Sequence, residues 1–247
     1  MGLDGLGYQN YSYSTGRRTR YRQHMRASPW VWAFAAVTTV HLVLLGLDLS
    51  PWDSVTKCLL APVLIGWTAS ADGPRALVAF LTFCLLGDLF LEIDGWFVAG
   101  MAAFAIAHVI LVTHLVRLGA ARRLRAAPWL AIAYVVAGGL LVAWIWTDLP
   151  ADLVVPVPFY AALLVATAAT SAAIGRVTGA GGLAFLVSDA IIILGVTEQI
   201  PPDAAATRLA IMVLYAAAIA LITAGLLRRQ PDPDRGDHTA AARSSAA

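Results

Sequence analysis

Between Pro29 and Leu227 the chain repeats one pattern eight times: a run of 17 to 22 mostly apolar residues, then a short polar break. A helix needs about 20 apolar residues to cross the roughly 30 Å hydrocarbon layer of a bilayer. Within that layer only helices and closed barrels satisfy every backbone N–H and C=O internally. A barrel would read as alternating segments of about 10 residues, whereas these runs are continuous. The pattern predicts an all-α membrane protein of eight transmembrane helices, over residues 29–48, 55–71, 75–93, 96–117, 128–147, 154–175, 179–197 and 206–227. Of the 247 residues, 60% are hydrophobic and 13% charged, against about half and about a quarter in soluble domains. That balance excludes a soluble globular enzyme, a disordered chain or a nucleic-acid binder as a first reading. A net charge of +2 is too small to imply a polyanionic partner. Cys58 and Cys84 both lie in apolar runs, so no disulfide framework is read.

Basic residues fix an orientation, since Lys and Arg in short loops stay on the cytoplasmic side. Five Arg lie in the first 28 residues; Arg75, the group Arg117, Arg122, Arg123 and Arg125, then Arg176, and finally Arg228 and Arg229 mark alternate loops. The intervening loops carry Asp48, Asp53, Asp94, Asp148, Asp152, Glu198 and Asp203, with Arg208 the one basic residue nearby. Both termini are expected to be cytoplasmic, in a bacterial cytoplasmic membrane. Residues 1–28 form a basic tail, read as disordered, and the polar, Pro-containing segment 228–247 is read likewise.

The two halves, about 29–117 and 128–227, echo one another. Pro29-Trp30 recurs as Pro128-Trp129, 99 residues on, and Asp48-Leu49 as Asp148-Leu149, 100 on. Arg75 and Asp88 recur as Arg176 and Asp189, both 101 on. Four spans per half enter from the same side, so the expectation is two parallel four-helix repeats about an axis along the membrane normal. Chance likeness among Ala/Leu/Val-rich helices is the plain alternative.

An ionisable group inside a span is costly and marks a functional candidate. Asp88 and Asp189 each lie 13 residues past an Arg. At about 1.5 Å per residue, both stand roughly 20 Å into a layer about 30 Å thick. Glu92 follows Asp88 by one helical turn and shares its face. Lys57 opens the second span, and it is the only Lys beside 16 Arg. His41 and His108 fall within the first and fourth spans, Tyr160 and Tyr215 near the middle of the sixth and eighth. Each has a plainer reading. These are a helix-to-helix hydrogen bond for the acids, a rim position for Glu92, snorkelling to the interface for Lys57, and structural roles for the His and Tyr residues. Read together, Lys57, Asp88, Glu92 and Asp189, with His41 and His108, form one polar layer in the outer half. No HExxH, CxxC, GxSxG or P-loop pattern occurs. No metal and no cofactor is expected.

At these residues the chain resembles the YhhN-like lysoplasmalogenase family of polytopic membrane proteins. The matching pieces are Thr56-Lys57-Cys58-Leu59, Leu86-Gly87-Asp88, the stripe Phe97, Gly100, Phe104, His108, then Leu186-Val187-Ser188-Asp189, and Tyr215. The resemblance covers about residues 30–227; a polar residue such as Gln is expected shortly after Tyr215, where this chain has Ala216 to Ile219. It implies hydrolysis of the vinyl ether bond of a lysoplasmalogen, a single-chain lysophospholipid, to a fatty aldehyde and glycerophospho-ethanolamine or -choline. That chemistry needs a general acid to protonate the double-bond carbon, an anion beside the resulting cation, and a base for water. Asp88 and Asp189 sharing one proton would supply all three. Lys57 would hold the ionised partner or meet the lipid phosphate, His108 would position water, and Glu92, His41 and Tyr215 would support. The competing reading is a proton-coupled transporter of a small amphiphile or solute, which would also use mid-membrane carboxylates; a non-catalytic scaffold leaves the buried acids unexplained.

Overall fold

The computed structural model describes residues 29–229, so the predicted tail 1–28 and residues 230–247 of the second lie outside the described residues, while Arg228 and Arg229, read as part of that tail, close the last helix. Ten α-helices follow in order: α1 Pro29–Gly46, α2 Trp52–Lys57, α3 Leu60–Ser70, α4 Arg75–Leu91, α5 Phe97–Arg117, α6 Ala120–Ala126, α7 Pro128–Ile145, α8 Pro156–Ile174, α9 Arg176–Val196 and α10 Ala205–Leu227. A 3-10 turn, Trp146–Asp148, extends α7, and no strand occurs among the described residues. Six helices among them are long and apolar enough to cross a bilayer: α1, α5, α7 with its extension, α8, α9 and α10. α4 spans 17 residues.

The predicted helix over 55–71 is instead two helices, α2 and α3, broken at Cys58-Leu59. Pro62 explains the break. It lacks an N–H, and its ring would clash with the carbonyl four residues back, that of Cys58. Proline is tolerated only in a first turn, and α3 begins at Leu60 so that Pro62 falls there. A second difference lies between the halves. The Arg-rich loop contains the short helix α6, entered through Gly119 at φ 93°, a left-handed conformation open to glycine.

α9 lies along α10 and α8, α4 along α5, and α5 crosses to α8. Small residues allow the close approaches, as expected where helices pack without a hydrophobic difference from lipid. A Cβ at Gly181 of α9 would stand 2.8 Å from the Ile222 backbone nitrogen and 2.9 Å from the Ala218 carbonyl oxygen, both on α10. Phe80, Leu64, Leu111, Phe185, Ile219 and Ile222 are fully buried in the core these helices share. α7 stands apart, mostly exposed and packed chiefly on α8.

The helix ends are pinned by charge. Arg123 of α6 donates to the carbonyls of Ala173 (3.2 Å) and Ile174 (3.1 Å), and Arg229 donates to Ile174 as well. Two guanidinium groups thus cap the C-terminal carbonyls of α8, where the helix dipole favours cations. At the other end Arg208 pairs with Asp48 and donates to the Leu45 carbonyl at 2.9 Å, tying α10 to α1. The single Arg among acidic loops is therefore an ion-pair partner.

Candidate active site

Asp88 and Asp189 line one cavity of about 130 Å³, together with Lys57, Tyr160, Ser188 and Tyr215. The remaining wall is hydrocarbon and aromatic: Phe97, Met101 and Phe104 from α5 and Leu141 and Ile145 from α7 are among its residues. Asp88 is 2% exposed. Its place on α4 depends on Gly87, where a Cβ would lie 2.5 Å from the Phe104 ring. That glycine lets α4 close on α5 beside the acid. Asp189 stands one turn beyond Phe185 on α9, and its neighbour Ser188 donates to the Ile211 carbonyl of α10 at 3.0 Å.

Each acid has its own phenol. The Tyr215 hydroxyl of α10 donates to Asp88 Oδ2 at 2.6 Å, and the Tyr160 hydroxyl of α8 donates to Asp189 Oδ2 at 2.5 Å. Both are at the short end of the O–H···O range. Among the described residues no hydrogen bond joins the two carboxyls directly. Phe185 orients one phenol, its ring packing edge-on against Tyr215 at 5.6 Å, Phe104 at 6.2 Å and His108 at 4.6 Å. Such edge-to-face pairs fix ring orientation as well as filling space.

The other predicted residues divide. Lys57 reaches the cavity, and its Nζ is 2.7 Å from Glu92 Oε1. Ser54 donates to the other Glu92 oxygen. Glu92 itself follows the last residue of α4 and does not line the cavity. Partial burial works to raise the Glu92 carboxyl, but the Lys57 ammonium and the Ser54 hydroxyl outweigh it and hold it below the ordinary carboxylate range. His41 is buried at the α1–α2 junction, its Nδ1 lying 3.0 Å from the Asp53 carbonyl and 3.2 Å from Thr56 Oγ1. His108 is fully buried behind the cavity wall, its Nδ1 3.1 Å from Thr167 Oγ1 and its ring against Tyr160 at 5.7 Å. The structure thus brings Lys57, Asp88, Asp189 and Tyr215 into one space. It places Glu92, His41 and His108 around that space and not in its wall.

Sequence reasoning weighs Tyr160 too lightly and misses Thr167 and Ser54. Tyr160 reads as a mid-span phenol and proves to be the partner of Asp189. Thr167, two turns along α8 from Tyr160 on the same face, was a legible signal for a partner to a buried His. Ser54 completes the Lys57–Glu92 group, and nothing in its spacing announces it. Among the described residues no group of three His, Cys, Asp or Glu forms a metal-ligand set.

Apolar helices of spanning length around a buried acid–phenol cavity define a polytopic integral membrane protein with a polar cavity among its helices. Residues 52–226 match the YhhN family, and the chain belongs to it. It is 33% identical over 185 residues to lysoplasmalogenase TMEM86B of Homo sapiens, an alignment covering 73% of this chain and 78% of that relative. No solved structure matches the chain.

Proposed function

We propose that the protein hydrolyses the vinyl ether bond of a lysoplasmalogen within the membrane, releasing a fatty aldehyde and a glycerophospho-ethanolamine or -choline. The observation that carries this reading is the cavity itself: two acids from different halves of the chain, each bonded to a tyrosine, face one apolar space. Kinship with a human lysoplasmalogenase supports the substrate class.

The protonated carboxyl of the pair gives its proton to the double-bond carbon remote from oxygen. The electron pair of that double bond forms the new C–H bond, and the cation is shared between the other carbon and the ether oxygen. The ionised carboxylate lies beside that cation, which is the electrostatic contribution such sites make. Water adds to the cationic carbon and loses its proton to a carboxylate. The hemiacetal then breaks its C–O bond to glycerol; the leaving oxygen takes a proton and the hydroxyl becomes the aldehyde carbonyl. One water is consumed and both carboxyls return to their starting states. Tyr160 and Tyr215 hold the carboxylates in place through each proton movement, a positioning role. Lys57 meets the lipid phosphate at the mouth, sharing its charge with Glu92. His108 braces the wall through Phe185 and Tyr160.

This reading takes the chain to cross the bilayer eight times, with α4 and the broken α2–α3 pair joining the six long helices, and both termini cytoplasmic. Two four-helix halves, about 29–117 and 128–227, follow. The 18-residue helices α1 and α7, each opening on Pro-Trp, support that division, as do α4 and α9, each opening on Arg.

The test is incubation of the purified protein in detergent with lysoplasmenyl-ethanolamine and mass spectrometry of the products. Free long-chain aldehyde with intact glycerophospho-ethanolamine is expected. Unchanged lipid, or release of a fatty acid from an ester-linked lysolipid alone, would overturn the reading.

A further inference from the structure

A second hollow adjoins the cavity. Between α7 and α8 lies a groove of about 490 Å³ walled by small and aliphatic residues, among them Val135, Gly139, Ala162 and Ala166. Gly138, Val142, Ala161 and Val165 line both the groove and the cavity that holds the acids. The partition between them is thin. Within it a Cβ at Gly138 would lie 2.5 Å from Val165 Cγ2, so part of the partition is a valine side chain against a bare glycine. On α8 the groove extends from Pro158, two residues before Tyr160, to Thr170. That separation of 12 positions measures about 18 Å at 1.5 Å per residue, close to the hydrocarbon depth of one leaflet, roughly 15 Å. Its polar member is already satisfied, since the Thr170 hydroxyl donates to the Ala166 carbonyl at 2.6 Å.

We infer that the α7–α8 groove binds the single hydrocarbon tail of the substrate and sets chain-length preference, with the Gly138–Val165 contact as the crossing point from groove to carboxyls. This rests on the reading under Proposed function and extends it. A one-chain lipid is the occupant the geometry selects. The groove is apolar from end to end, one leaflet deep, and starts beside the Tyr160–Asp189 pair, where the reacting bond must lie. The head group then falls on the Lys57 side of the cavity. The loosely packed α7 gives the tail a lateral way in from the bilayer.

Gly139→Leu and Ala166→Phe narrow the groove without touching the acids. No atom lies within 4 Å of a Cβ at Gly139, so that variant stands in should the bulkier one fail to fold. With lysoplasmenyl lipids of graded chain length, kcat/KM for the longest chains is expected to fall roughly tenfold or more, and for the shortest by less than about twofold. Equal losses at every length, or no loss, would overturn the inference. A wild-type protein inactive on all lengths overturns the function instead. The groove is then decided by a lysolipid with a photoreactive diazirine at its tail tip: labelling of α7 and α8 between Val135 and Thr170, abolished by Ala166→Phe, upholds it, and labelling elsewhere rejects it. Spontaneous disulfide-linked dimers of Gly139→Cys would assign the groove to a second copy and also reject it.

Discussion

The Tyr215 hydroxyl donates to Asp88 at 2.6 Å, joining α10 to α4 through a contact in which both partners are buried. Removing the phenol oxygen leaves a buried carboxyl short of a donor, a loss of about 1–3 kcal/mol. Tyr215→Phe is therefore expected to lower the unfolding temperature in detergent and to slow turnover by roughly tenfold, the equivalent of about 1.4 kcal/mol. The ring contacts with Phe185 and Phe104 survive in the Phe variant, so the fold persists. Unchanged turnover would remove Tyr215 from the site.

Asp88→Asn and Asp189→Asn keep shape and remove the proton-transferring group. General acid–base groups contribute about 10²- to 10⁴-fold, and each variant should lose at least that much aldehyde release while expressing and extracting like the wild type. The amide of either variant still accepts from Tyr215 or Tyr160. Full activity in one variant would leave the other acid as the sole proton carrier.

The helical architecture was legible because membrane burial writes itself as long apolar runs, and the matching heights of Asp88 and Asp189 on their helices follow from counting residues past Arg75 and Arg176. What counting cannot give is rotation between helices. Lys57 and Glu92 are a 2.7 Å pair, yet their separation of 35 residues says nothing of whether the pair turns toward the acids. Counting puts His108 in their layer, but Thr167 and Phe185 hold it behind the cavity wall. The break before α3 was partly legible. Pro62 is the main interior break in the apolar runs, and the Cys58 carbonyl it would strike explains why one span becomes two helices.

Lys57 and Glu92 differ in what their loss should do. Lys57→Met strands the Glu92 carboxylate, and Glu92→Gln strands the Lys57 ammonium; the double variant strands neither. Stability should therefore recover in the double variant, whereas turnover should stay low in both variants lacking Lys57 if the ammonium meets the lipid phosphate. A double-mutant cycle in unfolding temperature and in kcat/KM separates the two effects. Recovery of both in the double variant would confine Lys57 to a structural pair.

The same pair predicts a pH response with a definite sign. Glu92 is held below its ordinary range in the folded protein, so its folded form binds protons less readily than its unfolded form. The stability it contributes is complete above the ordinary carboxylate range and is lost as pH falls through the held value. The difference in unfolding temperature between wild type and Glu92→Gln should be largest near neutral pH and shrink on acidification. A difference that grew toward acid would contradict the pairing.

Gly181 tests whether the α9–α10 approach matters to the site or only to the fold. Replacing glycine by alanine inside a helix ordinarily gains about 1 kcal/mol of propensity. Here the new methyl would meet the Ile222 nitrogen and the Ala218 carbonyl oxygen at 2.8 and 2.9 Å, backbone atoms that cannot rotate aside. Overpacking of that kind costs about 1–3 kcal/mol and should win, so Gly181→Ala is expected to be destabilising. Gly46→Ala, whose Cβ would find its nearest atom at 4.0 Å, should be neutral or slightly stabilising. The functional consequence follows from what the two helices carry. α9 bears Phe185 and Asp189, α10 bears Tyr215, and spreading them lengthens the Phe185–Tyr215 contact that orients the phenol toward Asp88. Aldehyde release by Gly181→Ala should therefore fall even at temperatures where the variant remains fully folded, and a normal rate there would show that the cavity tolerates the shift.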